Sequence, residues 1–259
     1  MCQLARNLNH TKMIRENLDK IRAAIPEGVT LVAVSKYHPV EALQEAYDAG
    51  QRIFGESREN ELKTKVEALP ADIEWHFIGH LQTNKVKYLA PIVSLIHSID
   101  SERLLDEVER QAIRYEAERK TRFANTLPNT QLGDLSDGRI PVLLQLHVAQ
   151  EESKSGFTPA ELLELLAGNK ISERWPHVSI RGLMGMASFV DDEQQWRQEF
   201  RQITQCRKSL LEGALKQQGF TPDLFPILSF GMSDDHQVAI QEGSNMVRVG
   251  SAIFGSRQY

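Results

Sequence analysis

Cysteine is scarce in this chain. It has two in 259 residues, Cys2 and Cys206, too few and too far apart for a disulfide framework or a spaced zinc site. Long apolar runs are missing as well. No stretch of about 18 apolar residues occurs, and the opening Met-Cys-Gln-Leu-Ala-Arg-Asn lacks the apolar centre of a signal peptide. Neither a membrane span nor export is expected, and a reducing cytoplasm is. Basic charge is not in excess: 30 Lys and Arg stand against 35 Asp and Glu. That balance leaves no electrostatic footprint for nucleic acid or an anionic membrane surface, so the expected partner is a small molecule. No GxGxxG follows the first predicted strand, which removes the usual signature of an open dinucleotide-binding sheet.

What is present is a hydrophobic content of 41%, enough for a sizeable core, and a repeating grammar. Apolar residues at Leu4, Leu8, Ile14, Leu18, Ile21 and Ile25 predict a leading amphipathic helix stopped by Pro26-Glu-Gly28. A strand from Thr30 and a helix Val40 to Ala49, opened by Pro39, form the first βα unit. The pattern then repeats. Strands are expected at Arg52–Gly55, Glu74–Ile78, Ile92–His97, Ile140–His147, Val178–Met184, Phe225–Ser229 and Met246–Val249. Helices are expected over Glu56–Leu69, Asn84–Leu89, Ser101 to about Lys120, Thr158–Ala167, Asp191–Gly219 and Asp234–Gly243. Between Thr121 and Arg139 the rhythm breaks in a stretch rich in Asn, Gly, Pro, Asp and Ser, which predicts a mobile surface loop or, alternatively, a domain linker. Because the repeat resumes unchanged, the favoured reading is one domain over residues 1–259: an α/β fold, a closed (β/α)8 TIM-type barrel with an extra N-terminal helix.

Barrels keep their chemistry at the carboxyl ends of the strands. There the run Leu31-Val-Ala-Val34 ends in Ser35 and Lys36. A strand-end lysine is often only a solvated cation; beside apolar strand residues it can instead lose its proton and attack a carbonyl. Ser229-Phe-Gly-Met-Ser233 and Gly250-Ser251 put small residues and free backbone N–H groups after the seventh and eighth strands, the usual phosphate site of a barrel. Arg248 lies between them; it either faces a ligand ring or pairs with a surface carboxylate. A Schiff-base lysine with a phosphate cradle describes a pocket for pyridoxal 5′-phosphate. His76, His97 and His147 have no ligand spacing, so no metal site is expected.

Several segments also carry a family resemblance: Ala33-Val-Ser-Lys36, Trp75-His-Phe-Ile-Gly-His-Leu-Gln-Thr-Asn-Lys85, Glu151-Glu-Ser-Lys-Ser-Gly156, Arg181-Gly-Leu-Met184, Leu228-Ser-Phe-Gly-Met-Ser-Asp-Asp235 and Met246-Val-Arg-Val-Gly-Ser-Ala-Ile-Phe-Gly255. Over nearly its whole length the chain resembles the pyridoxal phosphate homeostasis proteins, whose fold is like the amino-terminal barrel of alanine racemase. The resemblance implies that Lys36 forms the internal aldimine, that Ser229, Gly250 and Ser251 hold the phosphate, and that Arg248 lies at the ring nitrogen. It places His76 and Asn84 at the rim of the cofactor. Ser57, in Phe54-Gly-Glu-Ser57, stands near the ring where the family commonly has asparagine, and the 121–139 loop is longer than the family leads one to expect.

The implied role is buffering or delivery of the cofactor in the cytoplasm, to recipient apo-enzymes, without established catalytic turnover and with no catalytic residue assigned. The alternative is a pyridoxal phosphate-dependent amino-acid racemase. Racemisation needs a second acid–base group opposite Lys36, which alanine racemases take from a further domain and a partner subunit. With the chain ending at Tyr259, a carrier and a monomer are expected. A regulatory module signalling cofactor status is a third class, with the 121–139 loop as its one handle.

Overall fold

The computed structural model describes residues 2–126, 131–150 and 155–255, with side chains from residue 13 onward. A leading helix, α1 (Cys2–Ala24), precedes β1 (Thr30–Val34), α2 (Val40–Asp48), β2 (Ile53–Glu56), α3 (Glu59–Ala68) and β3 (Glu74–Phe77). The short α4 (Val86–Leu89), β4 (Leu95–Ile99), α5 (Glu102–Phe123), β5 (Ile140–Gln145), α6 (Pro159–Gly168), α7 (Ile171–Arg174) and β6 (Val178–Met184) follow. Next come α8 (Glu193–Glu212), α9 (Ala214–Gln217), β7 (Ile227–Ser229), α10 (His236–Gln241), β8 (Met246–Val249) and α11 (Ser251–Phe254). The eight strands pair in chain order, all parallel, and β8 closes back onto β1. The barrel and leading helix are therefore as the sequence predicts; the side chains of Leu4 and Leu8 lie outside the described residues.

Local signals act where expected. Ser101 caps α5 by accepting from the Leu104 N–H, and Thr158 with Glu161 forms a capping box at α6 behind Pro159. Other boundaries move. Glu56 belongs to β2 rather than to a helix, because its backbone pairs with β3 and accepts from the Ile78 N–H. Ile92 and Val93 close the turn after α4, so β4 begins only at Leu95. The long helix expected from Asp191 to Gly219 breaks at Gly213, whose φ and ψ of −113° and −110° are not helical.

Apolar residues divide between two layers. Outward-facing strand residues such as Phe54, Trp75 and Ile96 pack under the helices. A smaller cluster inside the barrel unites Val32, Leu95, Leu143, Met184, Ile227 and Met246. Phe123, Leu132 and Leu135 join this inner cluster, which corrects the expectation of a mobile surface loop over 121–139. Helix α5 runs on to Phe123, and Leu132 and Leu135 are buried. Gln131 accepts from Thr30 Oγ1 and donates to the Asn245 carbonyl, and its own carbonyl accepts from Arg181 Nε. Thr30 and Asn245 stand at strand starts, so this segment plugs the amino-terminal mouth. Positions 127–130 lie outside the described residues, as do 151–154 of the Glu151–Gly156 motif.

Arg119 ties the plug to the helical layer. Fully buried, it donates to the carbonyls of Ala90 (2.7 Å), Val93 (2.9 Å), Gly138 (3.0 Å) and Arg139 (2.9 Å). Burial lowers its pKa to about 9. Arg119→Met keeps the volume but strips four carbonyls of their donor, and a loss of at least about 3 kcal/mol is expected. Urea unfolding checks it; an unchanged midpoint would refute the anchoring role.

Candidate functional site

Alternation along β1 decides where Lys36 goes. Val32 faces the barrel interior and Val34 lines its upper mouth, so a side chain two residues further on enters the same space. Lys36 is half-buried there, and lines a cavity of about 220 Å³ with Val34, His38, Ile78, Met186 and Phe189. The lining also includes Met232, Ser233 and Asp234 after β7, and Arg248, Gly250, Ser251 and Gly255 around the end of β8. Register explains the meeting: Val32 is paired with Arg248 across β1 and β8, so Val34 stands beside Gly250.

The backbone carrying Lys36 is held from both sides. Ser35 donates from N–H to the Gly55 carbonyl at 3.0 Å and from Oγ to Glu56 Oε1 at 2.6 Å. Lys65 Nζ donates to the Ser35 carbonyl (2.9 Å) and to Glu56 Oε1 (2.7 Å). On the other side the Tyr37 N–H donates to Glu61 Oε2 at 2.8 Å, and Tyr37 has a left-handed φ of 67°, a conformation that costs a non-glycine residue about 1–2 kcal/mol. Glu56 is wholly buried and its Oε2 has no hydrogen-bond partner among the described residues. Burial raises its carboxyl above the ordinary range, opposed by Lys65 and Ser35.

Arg248 forms the floor. It is buried, with Nη1 donating to the Ser229 carbonyl (2.7 Å) and to Ser229 Oγ (2.8 Å), and Nη2 donating to the Gly185 carbonyl (2.9 Å). Burial lowers its pKa to about 10, opposed by Asp235, so it stays cationic at neutral pH. Below it, Ser229 Oγ lies 3.0 Å from His97 Nδ1, His97 Nε2 3.0 Å from His76 Nδ1, and His76 Nε2 2.8 Å from Glu74 Oε1. Burial, with His76 and Arg248 beside it, pushes His97 well below the ordinary imidazole range.

Of the residues expected at a cofactor, four meet in the cavity: Lys36, Arg248, Gly250 and Ser251. The other four do not. Ser229 lies under Arg248 with its hydroxyl committed to Arg248 and His97. His76 is buried inside the barrel, not at a rim. Ser57 is half-buried against Gly79, where a Cβ would come within 2.4 Å of the Ser57 carbonyl oxygen. Asn84 is exposed in a 3-10 turn beside a separate cleft with His80 and Arg103. Sequence reasoning included Ser233 in the turn after β7 but missed its contact, in which Oγ accepts from the Gly250 N–H at 3.3 Å, and the His97 link. The second had a signal: a histidine within the strand run, in phase with the inward-facing Leu95.

The cavity has the donor set of a phosphorylated aldehyde. An amine stands at one side. At the other the chain is pressed close, since a Cβ on Gly250 would lie 3.1 Å from the Val34 carbonyl oxygen, and the first turn of a helix leaves N–H groups without intrahelical partners. Asp234 on this rim is exposed, where water and salt screen its charge. Among the described residues no group of three His, Cys, Asp or Glu side chains is placed to hold a metal ion, and no helix is long and apolar enough to cross a membrane.

A family profile described as the alanine racemase N-terminal domain matches residues 10–258. The pyridoxal phosphate homeostasis protein of Aquifex aeolicus is 37% identical over 88% of this chain and 87% of its own length. That of Vibrio alginolyticus is 36% identical over 100% of both. Among solved structures, PipY of Synechococcus elongatus, with PLP bound, superposes with a TM-score of 0.74 at 32% identity, covering 93% of this chain and 100% of that one.

The support beneath Lys36 is open to test through Lys65→Met. Removing the ammonium leaves Glu56 buried without its counter-charge, a loss of about 3–5 kcal/mol at neutral pH. The sign with pH follows from the raised carboxyl. An acid whose folded pKa exceeds its unfolded one takes up a proton on folding, so stability of the variant grows as pH falls. Urea unfolding at neutral pH and near pH 5 checks it: the deficit should shrink at the lower pH, and a constant deficit would contradict the assignment.

Proposed function

Because the chain belongs to the pyridoxal phosphate homeostasis proteins and carries the alanine racemase N-terminal barrel, we propose that it binds pyridoxal 5′-phosphate covalently at Lys36 and serves in homeostasis of that cofactor. The observation that carries this reading is the convergence of Lys36, Arg248, Gly250 and Ser251 on one cavity from two stretches of chain far apart in sequence. When bound, the cofactor supplies an aldehyde open to attack by an amine and a phosphate that anchors it. Lys36 Nζ makes the covalent attachment, and the Gly250–Ser251 turn, with Ser233 bracing Gly250, receives the phosphate. Arg248 has two nitrogens donating to carbonyls beneath it and also lines the cavity, where its remaining N–H groups would be available to the ring nitrogen of a bound cofactor. A permanent cation there disfavours a proton on that nitrogen and weakens the ring as an electron sink.

The reading is of a holder rather than a catalyst. Racemisation requires a second acid–base group across the substrate from Lys36. Among the described residues, those lining the cavity after β3 and β6 are Ile78, Met186 and Phe189, none of them titratable; of the titratable ones, His38 shares the loop of Lys36 and Asp234 stands exposed after β7. Phe189, 77% exposed, leaves the mouth open, which suits exchange with recipient apo-enzymes. A monomeric, cytoplasmic carrier is the finer form of the proposal.

Lys36→Ala is expected to abolish the visible absorbance acquired with pyridoxal phosphate while far-ultraviolet circular dichroism stays unchanged; a variant that keeps the band would sink the Lys36 assignment. Incubating the loaded protein with single L-amino acids and following chirality separates holder from catalyst. No loss of optical activity is expected, and racemisation at enzymatic rates would reverse the conclusion.

A further inference from the structure

Small barrels normally fill their interior with branched aliphatics. This one runs a line of polar groups from β8 to β3, the buried Arg248, Ser229, His97 and His76 and then the half-buried Glu74, with successive contacts of 2.8, 3.0, 3.0 and 2.8 Å. The ends of the line set its direction. A guanidinium only donates and a carboxylate only accepts. Ser229 Oγ therefore accepts from Arg248, and its one O–H is left for His97 Nδ1. His97 then carries its proton on Nε2 and donates to His76 Nδ1. His76 in turn carries its proton on Nε2 and donates to Glu74. Each group makes one donation in the same sense, and such aligned chains reinforce one another in a low-dielectric interior. The opposite order would need an extra proton on His76 and would set Ser229 Oγ between two donors, with no acceptor for its O–H among the described residues.

We infer that His97, His76 and Glu74 are positioning residues for the cofactor: they form with Ser229 a one-way hydrogen-bond chain through the barrel that holds the Arg248 guanidinium in place beneath the ring. The inference rests on the proposed pyridoxal phosphate site for its use, but its geometry does not. With the Ser229 O–H drawn toward His97, its lone pairs stay turned to Arg248, and two Arg248 nitrogens are pinned downward on Ser229 and Gly185. The remaining N–H groups then keep one orientation toward the cavity.

Two measurements on the unloaded protein decide the chain itself. In ¹⁵N-histidine spectra, His97 and His76 should each show one protonated Nε2 and one lone-pair Nδ1; an imidazolium at His76 or an Nδ1–H form of His97 overturns the inference. In ¹⁵N-arginine spectra, the separate Nη signals of Arg248 should be lost to rotation in His97→Leu and retained in His97→Asn, whose Oδ1 stands in for Nδ1 as acceptor. Pyridoxal phosphate then tests the consequence: the visible band of the loaded protein should shift in His97→Leu and return to its parent position in His97→Asn. A leucine variant unchanged in both readouts refutes the positioning role, and if that variant does not fold, the tautomers of the unaltered protein decide. Failure of the unaltered protein to take up pyridoxal phosphate would end the proposed function while leaving the tautomer result standing.

Discussion

A permanent positive charge buried in the middle of a barrel is the constraint to which the upper half of this structure answers. Arg248 is placed inward by strand alternation and cannot shed its proton cheaply, so acceptors must meet it. The carbonyls of Ser229 and Gly185 do so, together with the Ser229 hydroxyl. That hydroxyl then needs an acceptor of its own, and the need passes through His97 and His76 to Glu74 at the start of β3. The polar interior is thus one connected consequence of one charge.

The same logic operates outside the strands under Lys36. Glu56 and Lys65 are a buried pair, and such pairs contribute little net stability compared with apolar packing. What they contribute here is position. Their atoms occupy Ser35 on one side of Lys36, and Glu61 holds Tyr37 in a left-handed conformation on the other. The backbone carrying Lys36 is held by contacts made with neighbouring elements.

Much of the fold was legible because barrel units are local. The periods of the helices, the caps at Ser101 and Thr158 and the aliphatic strand runs each act over a few residues, and each of the eight strands overlaps the stretch those signals mark, with ends that shift by up to three residues. The errors share a cause as well. Glu56 looks helical by composition but is claimed by pairing with β3. Residues 131–139 look like loop because Gly, Asp and Ser outnumber apolar residues, yet Leu132 and Leu135 are buried in the barrel mouth. A plug uses few apolar side chains, and their partners come from distant strands.

The sequence by itself determined the alternation of strands and helices, the lysine at the end of β1, the small-residue turns after β7 and β8, and, through its motifs, the family. These depend on neighbours within a few positions. Which of the expected residues share a cavity was decided only by closure of the barrel. Register between β1 and β8 brings Gly250 beside Val34, near Lys36, and keeps Arg248 on the floor. The inward parity of β3, β4 and β7 draws His76, His97 and Ser229 beneath the site instead of into it. Ser57 and Asn84 stay outside because their loops leave the barrel mouth. Inward or outward is a property of one strand, but adjacency inside a closed barrel is a property of all eight.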